Sequence, residues 1–200
     1  MKDISNIKEM FQNGDLVRII AIGDSLTQGW MVRKGYLDFL EEMLHQSYSL
    51  ENLQIINRGI PGDTAEGGLY RLQDDVIDEK PDLTLIQFAL NDAFLGYPVI
   101  KYKNNLRAII EKIKNDTESC IMLITSVSLE GEDDYLAENY YSVMEELAVK
   151  YRTSIARVHS YWKNKIAAGV NRGSLVQSDR VHPNVKGYQL MAEAIMEVLQ

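Results

Sequence analysis

The feature that most constrains this chain is an alternation of short, nearly continuous apolar runs with amphipathic stretches of helical period. The runs fall at residues 17–22, 53–57, 83–88 and 121–124, with a weaker one at 155–158. Between them, residues 36–46 are helix-like, Leu69, Leu72, Val76 and Ile77 form one helical face, and Leu106, Ile109, Ile110 and Ile113 form another. Residues 140–148 and 185–199 repeat the pattern. A run that is apolar at every position suits a strand buried on both faces, and parallel strands need helical crossovers. The alternation therefore predicts an α/β fold with a mostly parallel sheet and helices on both sides. The first fifteen residues read as an extra amphipathic helix ending at Asn13-Gly14, with Ile4, Ile7 and Phe11 on one side. Packing is the plain use of that side, and a homodimer contact is the alternative.

A chain of 200 residues, 46% hydrophobic and 25% charged, can bury one large core. We expect a single domain over 1–200, with 1–15 as an N-terminal helical extension. No apolar run approaches the length that spans a bilayer, and residues 1–6 lack the apolar core of a secretory signal, so the expected location is the cytoplasm. The one cysteine, Cys120, excludes an internal disulfide. Its apolar surroundings suggest a buried strand residue, since a dry interior raises a thiol's pKa and blunts its reactivity. A net charge of −8 argues against nucleic acid or an anionic membrane as partner. Acidic residues gather at Glu130, Glu132, Asp133, Asp134, Glu138, Glu145 and Glu146, with no Lys or Arg between Lys114 and Lys150. They lack the spacing of a calcium loop and read as a solvated loop and helix face, a metal or cationic-ligand site being the alternative.

Three distant stretches carry the chemistry: Gly23-Asp24-Ser25-Leu26, Asn91-Asp92 and Asp179-Arg180-Val181-His182-Pro183. Ser25 follows the first apolar run, which places it on an exposed loop at the carboxyl end of a strand, where open α/β sheets build their sites. Serine is a weak nucleophile and needs an imidazole, which in turn needs a partner. Asp179, three residues before His182, can hold Nδ1 and leave Nε2 free for a serine. His45 and His159 fall in regular elements and default to structural roles. Asn91 follows the third strand at the same sheet edge and offers an amide donor, or is a turn residue. Asp24 and Asp92 flank these groups as hydrogen-bonding supports. A metal site built from Asp24, Asp92 and His182 is a rival, as is a phosphate-binding module that uses only the loop 23–27.

Taken in order, Gly23-Asp24-Ser25-Leu26-Thr27, Gly62 within the stretch 57–64, Asn91-Asp92 and Asp179-x-x-His182-Pro183 resemble the four blocks of the SGNH hydrolases, also called GDSL esterases or lipases. The likeness runs from about residue 17 to the end of the sequence. It implies a flavodoxin-like three-layer α/β/α fold with a parallel sheet of about five strands, and ester hydrolysis through an acyl-serine without metal or cofactor. It also implies that Ser25 is nucleophile, His182 base and Asp179 its orienting acid, with the Ser25 and Gly62 amides and the Asn91 side chain as oxyanion donors. A glycine at 62 suits that role, because a backbone N–H approaches an oxyanion most closely where no side chain obstructs it. Thr27 replaces the second glycine of the Gly-x-Ser-x-Gly turn of α/β-hydrolases. One departure stands out: the third block usually reads Gly-x-Asn-Asp, and here Ala89 replaces the glycine. The expected substrate is a small ester of short acyl chain, acetylated carbohydrates included, with Trp30, Met31, Phe94 and Tyr97 at the pocket mouth or simply packed there. Lysophospholipase, thioesterase or acyltransferase chemistry could use the same groups.

Overall fold

The structure, a computed structural model, describes residues 2–48, 50 and 52–200. Five strands, β1 (Val17–Gly23), β2 (Leu53–Gly59), β3 (Leu83–Gln87), β4 (Cys120–Ile124) and β5 (Ser154–Ala156), form one sheet in the order β2-β1-β3-β4-β5. Every pairing is parallel; Ile19, for example, lies opposite Ile55 on one side and Leu83 on the other. β3 and β4 are buried at every position and β1 at all but Arg18, which is why these strands read as nearly continuous apolar runs. The edge strand β2 is half-buried and accordingly carries Gln54, Asn57 and Arg58.

Helices cover both faces, giving three layers. On one side α9 (Val185–Leu199) packs against α3 (Tyr36–Ser47), α8 (Val158–Ala167) and α1 (Ile4–Asn13); on the other, α6 (Val99–Asp116) lies between α4 (Ala65–Tyr70) and α7 (Glu132–Tyr151). α1 starts where the Asp3 carboxylate accepts the N–H groups of Ser5 and Asn6, and stops at Gly14, whose φ of 71° suits glycine. Ile7 and Phe11 are fully covered within the chain. Much of the apolar side of α1 is therefore used in packing within the chain, with Ile4 half-buried.

The expected elements appear with shifted ends. β3 stops at Gln87, and β5 stops at Ala156. Val158, expected in the last strand, instead opens α8, in a region expected to be loop. Its burial with Trp162, one helical turn later, shows the cause: Val158, Trp162 and Ile166 form an apolar helical row. Cys120 is buried in β4, and burial pushes its thiol up to about 12. The acidic stretch is largely ion-paired: Glu145 meets Arg157, Glu146 meets Lys103, and Asp134 and Glu138 both meet Lys163. Asp134 and Glu138 also stand with buried His159 as a carboxylate–imidazole group. Among the described residues, no helix is long and apolar enough to cross a membrane.

Candidate active site

After β1 the chain returns to the sheet on one side of it as β2, then crosses to the other side as β3. The carboxyl ends of β1 and β3 thus flank a crevice, where doubly wound sheets bind ligands. Two short helices start there, α2 (Ser25–Gln28) after β1 and α5 (Leu90–Phe94) after β3.

Ser25 is not on an exposed loop, contrary to the sequence expectation. It is the first residue of α2 and only 6% exposed. Asp24 caps this helix through the Leu26 N–H at 2.8 Å, so the Ser25 N–H, in the first turn, has no intrahelical acceptor. Gly23 lets the turn lie close, since a Cβ there would come within 2.2 Å of Thr27 Oγ1 and 2.5 Å of the Gln87 carbonyl.

The residues Asp179 and His182 lie on the loop that ends at α9. His182 Nε2 is 2.9 Å from Ser25 Oγ, and His182 Nδ1 is 2.7 Å from Asp179 Oδ2. Asp179 also accepts the N–H groups of Val181 and His182. Partial burial raises its pKa, but these hydrogen bonds outweigh that and hold it below the usual carboxylate range. An ionised Asp179 accepts the Nδ1 proton, which leaves the Nε2 lone pair facing the hydroxyl.

Gly62 and Asn91 meet through Asp63. Asn91, on α5 rather than in a turn, donates from Nδ2 to the Asp63 carbonyl at 2.8 Å, and the amide keeps a second hydrogen. Gly62 has φ 80° and open space where a Cβ would stand. That left-handed backbone by itself favours glycine at this position. Arg71 ties the same region together, donating to Asp63 Oδ2 at 2.8 Å and to the carbonyls of Arg58 and Gly23 at 2.7 and 3.0 Å. Nothing in the sequence singled out Arg71, because its value lies in the carbonyls it gathers.

Asp24 and Asp92 sit beneath these loops. Asp92 accepts the Ala65 N–H at the start of α4, and Asp24 accepts from Gln87 Nε2 at 3.3 Å. Burial, with smaller repulsion from neighbouring carboxylates, pushes Asp24 up to about 7 and Asp92 up to about 6. Asp24 thus accepts from Leu26 and Gln87, and Asp92 from Ala65. Among the described residues, the one close-set group of carboxylates and imidazole is Asp134, Glu138 and His159, not Asp24, Asp92 and His182.

Trp30 lies beside His182 with ring centroids 6.1 Å apart and is 38% exposed; Met31 and Phe94 are also exposed. Tyr97 is half-buried, its ring under Lys101 and its carbonyl accepting from Tyr140.

Residues 21–190 match the GDSL-like Lipase/Acylhydrolase family, and the chain belongs to that family. Its activity is hydrolysis of carboxylic esters. It is 26% identical to an acetylxylan esterase of Geobacillus stearothermophilus, an alignment covering 90% of this chain and 92% of the relative. It is 24% identical to an arylesterase of Vibrio mimicus, covering 91% and 88%. The crystal structure of Axe2, an acetylxylan esterase from Geobacillus stearothermophilus, superposes with a TM-score of 0.82 at 24% identity over 92% of this chain and 94% of that one, which shows the shared fold.

Proposed function

We propose that the protein cleaves short-acyl esters, acetylated carbohydrates foremost, through an acyl-serine on Ser25. The observation that carries this reading is the unbroken series Asp179–His182–Ser25, with contacts of 2.7 and 2.9 Å. Ser25 Oγ attacks the ester carbonyl while its proton passes to His182 Nε2, and Asp179 holds the imidazolium. The oxyanion is met by the Ser25 and Gly62 N–H groups and the free hydrogen of the Asn91 amide. His182 returns the proton to the leaving alcohol, then takes one from water as it attacks the acyl-serine and delivers it to Ser25 Oγ as the acyl–oxygen bond breaks and the carboxylic acid leaves. The half-open Trp30 ring beside His182 offers a face on which a sugar can stack, and the acetylxylan esterase relative acts on such a substrate by its name.

Ser25→Ala tests the reading. We expect a folded protein with esterase activity down on the order of 10⁴-fold or more on acetylated xylo-oligosaccharides and p-nitrophenyl acetate. A folded variant with full activity would remove Ser25 from the chemistry, and activity confined to long-chain or lysophospholipid esters would overturn the substrate class. We also propose the cytoplasm as its place of action, which cell fractionation tests; recovery in the membrane fraction would count against it.

A further inference from the structure

The Ser25–His182 contact joins segments 157 residues apart in sequence, and each segment stands on a different part of the fold. Among the described residues, two other side chains hydrogen-bond across them: Tyr188, in the first turns of α9, whose hydroxyl donates to the Ser25 carbonyl at 3.5 Å, and Gln177, on the loop itself, with a shorter contact. Gln177 Nε2 donates to the Trp30 carbonyl at 2.8 Å and to the Pro183 carbonyl at 2.9 Å. Both neighbours are pure acceptors, so only the NH₂ end of the amide can face them, and both of its hydrogens are used. The Trp30 N–H in turn donates to the Ser25 carbonyl at 3.1 Å. On the base side, the Gln177 N–H donates to the His182 carbonyl at 2.8 Å, and the Gln177 carbonyl accepts the Arg180 N–H at 3.0 Å. The loop is further closed by the bridge between Val176 and Pro183.

We infer that Gln177 is a positioning residue that sets the distance between the nucleophile and the base by tying the turn after Ser25 to the loop that carries His182. This rests on the catalytic roles proposed above for Ser25 and His182. The outer side of the loop is fixed separately, by Arg172 donating to the Arg180 carbonyl at 2.8 Å and by Arg180 pairing with Glu130. Gln177 fixes the inner side, the one that faces Ser25. An imidazole displaced by a fraction of an ångström still folds and still binds ester, but it takes the serine proton less well. The tether therefore acts on kcat rather than KM.

The test uses Gln177→Met, which keeps the volume and removes both donors, and Gln177→Glu, which keeps the shape and turns a carboxylate toward two carbonyls. On p-nitrophenyl acetate both should lose roughly 10- to 100-fold in kcat with KM nearly unchanged, and both should melt near the parent. The second measurement is the rate at which a fluorophosphonate labels Ser25. Gln177→Met should slow labelling in the parent by a similar factor, and should make no further difference in a His182→Ala background, where no imidazole is left to place. Parental kcat in a folded Gln177→Met protein would overturn the inference. So would equal slowing in both backgrounds, which would leave the base assignment standing. A His182→Ala protein labelled at the parental rate would overturn the base assignment and the tether together.

Discussion

Ala89 holds a backbone angle that L-residues rarely adopt, φ 145° and ψ −45°, at the entry to α5. Such a conformation costs on the order of 1–3 kcal/mol. Replacing a buried, unstrained alanine with glycine instead loses about 1.5 kcal/mol, from chain entropy and the buried methyl group. Strain relief and that loss are of similar size, so Ala89→Gly should leave stability within about 1 kcal/mol of the parent or above it, with kcat preserved. Thermal and denaturant melts decide: a loss of about 1.5 kcal/mol or more would mean that the backbone at 89 is unstrained. For Asn91, one amide hydrogen anchors the Asp63 carbonyl, and the proposed oxyanion role uses the other. Asn91→Asp should reduce kcat by roughly 10²–10³, because a carboxylate turns acceptors toward both the Asp63 carbonyl and the developing oxyanion. An active Asn91→Asp enzyme would exclude the amide from the oxyanion site. The candidate site was legible in the sequence because its residues stand in short motifs of pointed chemistry and because histidine is scarce, with three in the chain. Gln177 and Arg71 were not, since they act on backbone carbonyls whose convergence leaves no mark on residue identity.

The elements that could be read ahead of the structure are those whose burial is uniform. β3 and β4 are covered on both faces and α9 buries Tyr188, Met191, Ala192, Ile195 and Leu199 at helical spacing, so their sequences carry strong patterns. α8 was masked because the β-branched and apolar residues 155–158 merge the end of a strand with the first turn of a helix. α2 and α5 are too short to display a period, so the sequence reads Ser25 and Asn91 as loop residues. α1 supplies the test at this scale. Phe11 is 1% exposed and stacks near Tyr48 with ring centroids 5.3 Å apart, so Phe11→Ala should cost about 3–5 kcal/mol. Because α1 is remote from the catalytic contacts, kcat below the melting range should be unchanged. A loss of activity that depends on protein concentration would favour the dimer reading of this helix.

Two buried carboxyls give the whole molecule a distinctive pH response. Asp24 and Asp92 titrate in the folded protein at about 7 and about 6, against an ordinary value of 3.8. The folded state therefore holds protons that the unfolded chain has released, and stability falls as pH rises from about 4 to about 7. Asp24→Asn removes one of these groups. Its stability relative to the parent should improve across that window, by about 4 kcal/mol at most, taking roughly 1.4 kcal/mol per pH unit. Chemical denaturation of both proteins at several pH values measures it; a parent–variant difference that stays constant from pH 4 to 8 would show that Asp24 titrates normally. A further property follows from the lone thiol in β4. Cys120 is 2% exposed, and burial pushes it up to about 12, so an alkylating reagent meets almost no thiolate while the sheet is closed. In the unfolded chain the same group reacts freely. Its slow modification thus serves as a clock for the opening of the central sheet, ticking once per molecule and silent to surface motions.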